Sequence, residues 1–309
     1  MQDRRIVTNV VYQFFDDPPV YLATLAGAEK LLAMPHARPG SKCLINLQWF
    51  LTARSLIKTR GLAMRLRRHG IEAIVMCNEP AEVLRCKLLG IRHILANQNQ
   101  FILEDLVPLC PEGAEKRFDA YYAAQARPFK RLHLAADIKT LFVLTYFCPR
   151  NASGEQDIRL FEPRLKNAKC NPHWIDDFEQ IVRYMHQSHC ALALSYKEGA
   201  MWAVVEAWMA GLPVVSTPSL GGRSRYFDPL TTCVVRPRPQ AIKTAVENFK
   251  RLGTKPQDIR SRALSIIEKD REATVELLRT TVLRDCGLSS DAIYARCFKN
   301  GPHRKPLVS

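Results

Sequence analysis

The chain has 309 residues, 47% of them apolar, and carries 45 lysines and arginines against 30 acidic residues, a formal charge of +15. That is enough apolar material for one large core or, more naturally, two ordinary domains. No apolar run reaches the roughly 18 residues needed to span a bilayer, so a membrane-crossing helix is excluded. The charge itself points to a negative partner: nucleic acid, anionic lipid or a phosphorylated substrate.

In chain order, Met1-Gln2-Asp3-Arg4-Arg5 leads into Ile6-Val7 without the apolar stretch of a secretory signal. The expected location is therefore cytoplasmic, with peripheral residence at the cytoplasmic membrane face as an option. Lys42 to Phe50 reads as a strand, Leu62 to His69 as a helix stopped by Gly70, and Ile71 to Cys77 as a strand. Ala81 to Leu89 follows as a helix and Ile91 to Ala96 as another strand. The proline-broken stretch from Asn97 to Lys116 reads as a passage between domains. A second series then runs strand Arg117–Ala124, helix Phe129–Ile138, strand Thr140–Phe147, helix Asp177–His189 and strand Cys190–Ser195. It continues with helix Ala200–Ala210, strands Pro213–Ser216 and Thr232–Val235, and helices Pro239–Leu252 and Gln257 to about Leu283. The basic, proline-bearing segment from Phe298 to Ser309 reads as a loose tail.

Strands that alternate with helices imply parallel sheets built from βαβ units. The predicted class is α/β, two Rossmann-like doubly wound domains facing a cleft, the first of them short. The predicted division is 1–113 for an acceptor-side domain, 114–283 for a nucleotide-binding domain, and 284–309 for a terminal helix and basic tail. Of the ten cysteines, Cys77, Cys148, Cys190 and Cys233 lie in apolar runs, and no C-x-x-C occurs. Reduced core thiols are expected rather than a disulfide framework or a zinc site.

The stretch from Ser195 to Gly222, SYKEGAMWAVVEAWMAGLPVVSTPSLGG, carries the chemistry. A strand ends at Ser195, a short loop holds Lys197, Glu198 and Gly199, and a helix is expected to open at Ala200. Backbone N–H groups at Gly199, Ala200 and Met201 would then form an anion seat at the helix tip. Glu206, two turns along the same helix, has the acceptor oxygens that suit the paired hydroxyls of a ribose. Glu198 is placed to reach a sugar attached to the second phosphate. Gly211 reads as the left-handed residue that ends the helix.

Two glutamates separated by seven residues, followed by E-A-x-x-x-G-x-P-V-V, resemble the donor site of retaining GT-B glycosyltransferases, the large family that includes sucrose and mannosyl transferases. The likeness covers about residues 117 to 250 and is poor in the N-terminal part. It implies a nucleotide-sugar donor, a glycan or lipid-linked acceptor, and a basic pair early in the second domain that neutralises the donor's pyrophosphate. In the segment AQARPFKRLHLA, Lys130 matches that lysine and Arg127 is the best match to the arginine, with Arg131 as a substitute. The implied catalytic set is Glu198, Lys130 and Arg127; the implied donor-binding set is Glu206, Gly199, Ala200, Met201, Arg131 and Ser195.

The chain has no Asp-x-Asp, the carboxylate arrangement that holds a diphosphate through magnesium or manganese, so metal-independent transfer without a cofactor is expected. Asn97, Asn99 and Arg223 are candidate sugar or acceptor contacts, with Arg225 as a further cation near the Gly221-Gly222 pair. His36, His69 and His93 lie in the first domain, where a family histidine often meets the donor sugar; none can be selected. Two competing readings stand beside transfer. One is a nucleotide-sugar epimerase or hydrolase on the same fold. The other is a nucleic-acid binder, disfavoured because the cations are scattered rather than gathered in a stripe with aromatics.

Overall fold

The computed structural model describes residues 11–35, 37–145 and 154–299. Met1 to Ile6, His36, Tyr146, Phe147, Cys148 and the segment 300–309, to which several of the expectations above refer, lie outside the described residues. Two compact units emerge: 1–103 with 221–225 and 267–309, and 104–220 with 226–266.

Among the described residues of the first unit, the leading strands form an antiparallel hairpin, β1 (Val11–Asp16) and β2 (Pro19–Thr24), which the sequence reading left out. Strands β3 (Lys42–Asn46), β4 (Glu72–Cys77) and β5 (His93–Leu95) then add in parallel, in the order β1-β2-β3-β4-β5. Helices α1 (Leu25–Lys30), α2 (Ala53–Arg68) and α3 (Pro80–Leu88) connect the parallel strands. Alternate residues of the strands, such as Cys43, Ile45, Ala73 and Val75, share one core with Ala28 of α1, Leu62 and Leu66 of α2 and Cys86 of α3. All three helices therefore cover the same face of the sheet.

Helix α2 starts well before the expected Leu62, because the Thr52 hydroxyl accepts the Ser55 N–H at 3.2 Å and caps it there. It stops as expected before Gly70, whose φ of +73° suits glycine and whose Cα leaves no room for a Cβ, 2.8 Å from that of Pro39.

The segment after 266 joins this first unit through a buried arginine. Arg271 donates to Gln100 O at 2.8 Å and Ile102 O at 2.5 Å, pairs with Glu268 at 2.6 Å, and lies over the Phe298 ring. Phe298 in turn stacks on Phe101 at 5.4 Å. Such an arginine satisfies two orphan carbonyls and contributes its charge to a partner, so 267–299 packs as part of this unit. The units thus break at 103/104 and 266/267, where the sequence reading divides at 113/114 and 283/284. The long helix α8 (Pro256–Leu277) runs through the second break without interruption.

Glu82 in α3 is fully buried, its carboxylate accepting the Asn78 N–H at 2.7 Å. Burial pushes this carboxyl up to about 7 from 4.5, with the Asn78 hydrogen bond opposing the shift. Between those two values the native state holds a proton that the unfolded chain has lost, so stability falls as pH rises through the window. The loss approaches about 3 kcal/mol at its upper end. Urea unfolding of the Glu82→Gln variant is expected to lack this decline; an equal slope in variant and parent would assign the titration elsewhere.

The described residues of the second unit form six parallel strands, β6 (Phe118–Ala123), β7 (Leu141–Leu144), β8 (Ala168–Cys170), β9 (Ser188–Ala193), β10 (Val214–Ser216) and β11 (Thr232–Val234). Their order is β11-β10-β9-β6-β7-β8. The chain thus winds from β6 outward in one direction, then returns to the other side of β6 with β9. Helices α4 (Gly154–Phe161), α5 (Phe178–His186) and α6 (Trp202–Met209) each connect successive strands from β7 to β10, and α7 (Pro239–Leu252) follows β11. Helix α5 is shorter than expected, since Ser188 already pairs with Phe118 and His189 belongs to β9.

Gly211 closes α6 at φ +80°, as its sequence position implies, with Pro256 so close that a Cβ would stand 2.4 Å from its ring. The nine described cysteines are free thiols, six of them buried. No helix among the described residues is long and apolar enough to cross a membrane.

Candidate functional site

In an open α/β sheet, ligands bind beyond the carboxyl ends of the strands where the winding direction reverses. Here that switch point lies between β6 and β9, which pair directly. Beyond β6 the chain makes two 3₁₀ turns, Pro128–Lys130 and Leu132–Ala135, where the sequence reading expects an α-helix from Phe129 to Ile138. Pro128 fixes the first turn, and Arg131 at φ +49° and ψ +46° breaks any helical ladder between them. The Tyr122 hydroxyl donates to Lys130 O, and Tyr196 N–H donates to Phe129 O at 3.0 Å, so the turn is tied to both strands.

Beyond β9, the loop Leu194 to Met201 leads into α6. Its Lys197 forms an isolated bridge with Leu220, and Glu198 N–H donates to Leu220 O at 2.9 Å. The loop after β10 thus holds the backbone of Glu198 in place, a role for Thr217 to Leu220 that the sequence reading did not assign. The signal available was only the polar, proline-bearing run STPSL itself.

The two loops meet through their charges. Lys130 Nζ donates to Glu198 Oε1, and their side chains are 8% and 7% exposed. Two residues 68 positions apart, both singled out from sequence, form a buried ion pair at the switch point. Such a pair is held only by close geometry, because both charges have left water. Lys130 also lies 5.3 Å from the Phe129 ring centre.

Arg131, the substitute cation of the sequence reading, is engaged by protein acceptors beyond β9 and β10. Its guanidinium donates to Leu194 O at 2.5 Å, Thr217 Oγ1 at 2.6 Å and Pro218 O at 3.3 Å. It acts as a strut across the ends of β9 and β10, with its donors drawn onto protein acceptors. Arg127 is exposed at the entrance to the first 3₁₀ turn.

Helix α6 begins at Trp202, two residues later than expected, because Met201 adopts φ +52° and ψ +80° as its N-cap. Gly199, Ala200 and Met201 are therefore buried loop residues and not the first helical turn. Ser195 is likewise buried, its hydroxyl 3.9 Å from the Met201 sulfur. Along α6, Val204, Val205, Ala207, Trp208 and Met209 are buried, while Trp202, Ala203 and Glu206 are half-exposed. Spacings of three and four residues place those three on one open stripe that leads from the loop to Glu206.

Among the described residues, Arg131 and Met201 are the only non-glycine positions with positive φ. One follows Lys130 directly and the other ends the Glu198 loop. Strained backbone of this kind persists where surrounding structure over-determines it, and it clusters at functional sites.

Asn97, Asn99 and Arg223 belong to the first unit. The Asn97 amide donates to Asn78 O at 3.1 Å and Gly222 O at 2.9 Å, and its oxygen accepts from Asn99 N–H at 2.9 Å. It therefore fastens the Gly221-Gly222 segment, and Gly222 has Asn78 where a Cβ would lie, 2.4 Å away. Asn99 and Arg223 are buried, 0% and 1% exposed, so neither offers the open contact expected of it. Arg225 is bidentate to Asp270, both bonds 2.7 Å. His69 caps the C-terminus of α2, its Nδ1 3.0 Å from Arg65 O, and His93 Nδ1 lies 2.8 Å from Ile91 O. Among the described residues no cluster of three or more His, Cys, Asp or Glu side chains could hold a metal.

With this geometry in view, the comparisons with known proteins define the class. Residues 159–265, which include Glu198 and the whole of α6, match the family model described as glycosyl transferases group 1. The matched domain makes the chain an enzyme of the glycosyltransferase class, and its two-sheet architecture is the GT-B fold. Similar solved structures include HepE of Anabaena in complex with UDP, 18% identical, with a TM-score of 0.58 over 83% of this chain and 76% of that one. Sucrose-phosphate synthase of Thermosynechococcus elongatus is 15% identical, with a TM-score of 0.56 over 79% of this chain and 68% of that one. A glycosyltransferase involved in avilamycin A biosynthesis is 12% identical, with a TM-score of 0.55 over 84% of this chain and 78% of that one. At these identities the likeness shows the fold. A search of curated proteins gives no match.

Proposed function

We propose that the chain transfers a sugar from a nucleotide-sugar donor to a glycan or lipid-linked acceptor, with retention of configuration and without a metal. The observation that carries this reading is the buried Lys130–Glu198 pair at the β6/β9 switch point, beside the open stripe of α6 that bears Glu206. Transfer breaks the bond between the anomeric carbon and the diphosphate, which leaves with added negative charge. Lys130 is the cation placed to stabilise that charge, and exposed Arg127 can swing in as a second. A diphosphate entering the site competes with Glu198 for Lys130, which frees the Glu198 carboxylate toward the sugar. Glu206 accepts from the ribose hydroxyls.

HepE of Anabaena, of similar fold, has been solved with UDP-glucose, which supports a nucleotide-sugar as the ligand class here. Retention rests on the resemblance of the glutamate pair to the retaining family. Metal independence rests on the lack of Asp-x-Asp together with a protein cation in the site. The formal charge of +15 supports peripheral residence of a cytoplasmic enzyme at an anionic membrane face.

A thermal-shift screen of nucleotide-sugars tests the donor reading. At least one donor is expected to raise the melting temperature, because ligand at about 100 times its dissociation constant adds about 2.7 kcal/mol. The shift should survive chelator and shrink sharply in Glu206→Ala. No shift with any common nucleoside diphosphate or its sugars would refute the reading.

A further inference from the structure

Helix α2 carries six cations, Arg54, Lys58, Arg60, Arg65, Arg67 and Arg68, and no acidic residue. Arg65 pairs with Glu29 at 2.6 Å. Among the described residues none of the other five is in a salt bridge, and all five are exposed. Thr59, Leu62 and Leu66 turn into the core. At 3.6 residues per turn, Ile57, Gly61, Met64 and Arg68 then form a line on the opposite side. Arg54, Lys58 and Arg65 flank that line on one side, Arg60 and Arg67 on the other. Along that line Ile57 and Met64 are 68% and 48% exposed, so its middle is apolar, while its borders and its C-terminal end at Arg68 are cationic.

The neighbouring elements extend this pattern. Helix α3 covers the same face of the sheet and exposes Leu84 and Leu88, one turn apart, next to exposed Lys87. The loop before α2 exposes Trp49 and is fastened to α3 by Arg85, which donates to Leu51 O at 3.0 Å. A solvated surface helix has its charges at the centre of its outer face and its apolar residues inward. An apolar centre with cationic borders and an aromatic nearby is the reverse, and it suits the boundary between headgroups and acyl chains.

We infer that the outer face of α2, with Trp49 and the exposed leucines of α3, docks this protein on an anionic lipid bilayer. The cations would lie at the level of the headgroup phosphates while Ile57 and Met64 enter the acyl boundary. Nucleic acid would satisfy the cations equally well but gives the apolar stripe nothing to enter. The inference rests on the membrane contact in the proposed function and names the surface that makes it; the donor site has no part in it.

The test is co-sedimentation of the full chain, without donor, with phosphatidylcholine vesicles that contain or lack phosphatidylglycerol. Binding is expected only with phosphatidylglycerol and should weaken with salt. Each near-surface cation contributes roughly fivefold, so Arg60→Gln with Arg67→Gln should weaken binding about 25-fold. Ile57→Ser with Met64→Ser should weaken it at least about tenfold. All four positions are exposed, so unchanged melting curves are expected to accompany both losses. Wild-type binding that neither variant alters would overturn the assignment to α2 and leave the membrane contact standing. No wild-type binding would overturn both and leave the donor reading intact. If the apolar variant binds vesicles normally while single-stranded RNA competes in a cation-dependent way, the face is a polyanion site and the lipid assignment is overturned.

Discussion

Replacing Lys130 with alanine is expected to lower turnover of the nucleotide-sugar by about 10²–10³-fold, the usual effect of removing one preorganised group that stabilises charge on a leaving group. The substitution would also leave Glu198 buried without its cation, so loss of activity alone does not separate lost chemistry from misfolding. The double variant Lys130→Met, Glu198→Gln removes both charges together and keeps two side chains of similar size. It is expected to melt close to the parent and yet to remain inactive. Release of nucleoside diphosphate from the donor, followed alongside the melting curve, separates the two effects. A double variant that is folded and active would remove Lys130 from the chemistry.

The second large effect is on stability. Glu198→Ala strands the Lys130 ammonium in a site where it is 8% exposed, and breaking a buried pair on one side costs about 3–5 kcal/mol. The expected loss is visible as an equal drop in unfolding free energy by urea titration. A nucleoside diphosphate should recover part of it, since the phosphates supply the missing anion. That recovery distinguishes a site that awaits a diphosphate from a merely structural ion pair, whose loss no small anion repairs. A variant of parental stability would show that Lys130 finds water or another acceptor with ease.

Much of the second unit was legible in the sequence because its strands are short apolar runs bounded by clear stops. Gly211 is an example: an apolar helix, then glycine, then Pro213-Val214-Val215, and the structure ends α6 there at positive φ. The segment 129–138 was misread for the opposite reason. Its composition favours helix, and the break lies at Arg131, a residue type that gives no local warning of a left-handed conformation. The same holds at Met201, which delays α6 and turns the supposed helix tip into a buried loop.

The hairpin of β1 and β2 was missed although VYQFF and PVYLAT flank a DDPP turn, because apolar runs in parallel βαβ units dominated the pattern. Of the candidate site, the pairing of Lys130 with Glu198 could not be read from periodicity at any window length; only the resemblance brought the two together. Asn97 shows the ambiguity of an amide. An amide-rich run at a strand end suits sugar hydroxyls, but amides suit backbone carbonyls just as well, and here Gly222 and Asn78 hold them.

The most direct test is a crystal structure of the protein soaked or grown with the nucleotide-sugar that gives the largest thermal shift. The account predicts the diphosphate beyond the carboxyl ends of β6 and β9, within hydrogen-bond distance of Lys130 Nζ, with the ribose hydroxyls on the Glu206 carboxylate. A donor bound with Lys130 still closed on Glu198 and its ribose remote from Glu206 would contradict it.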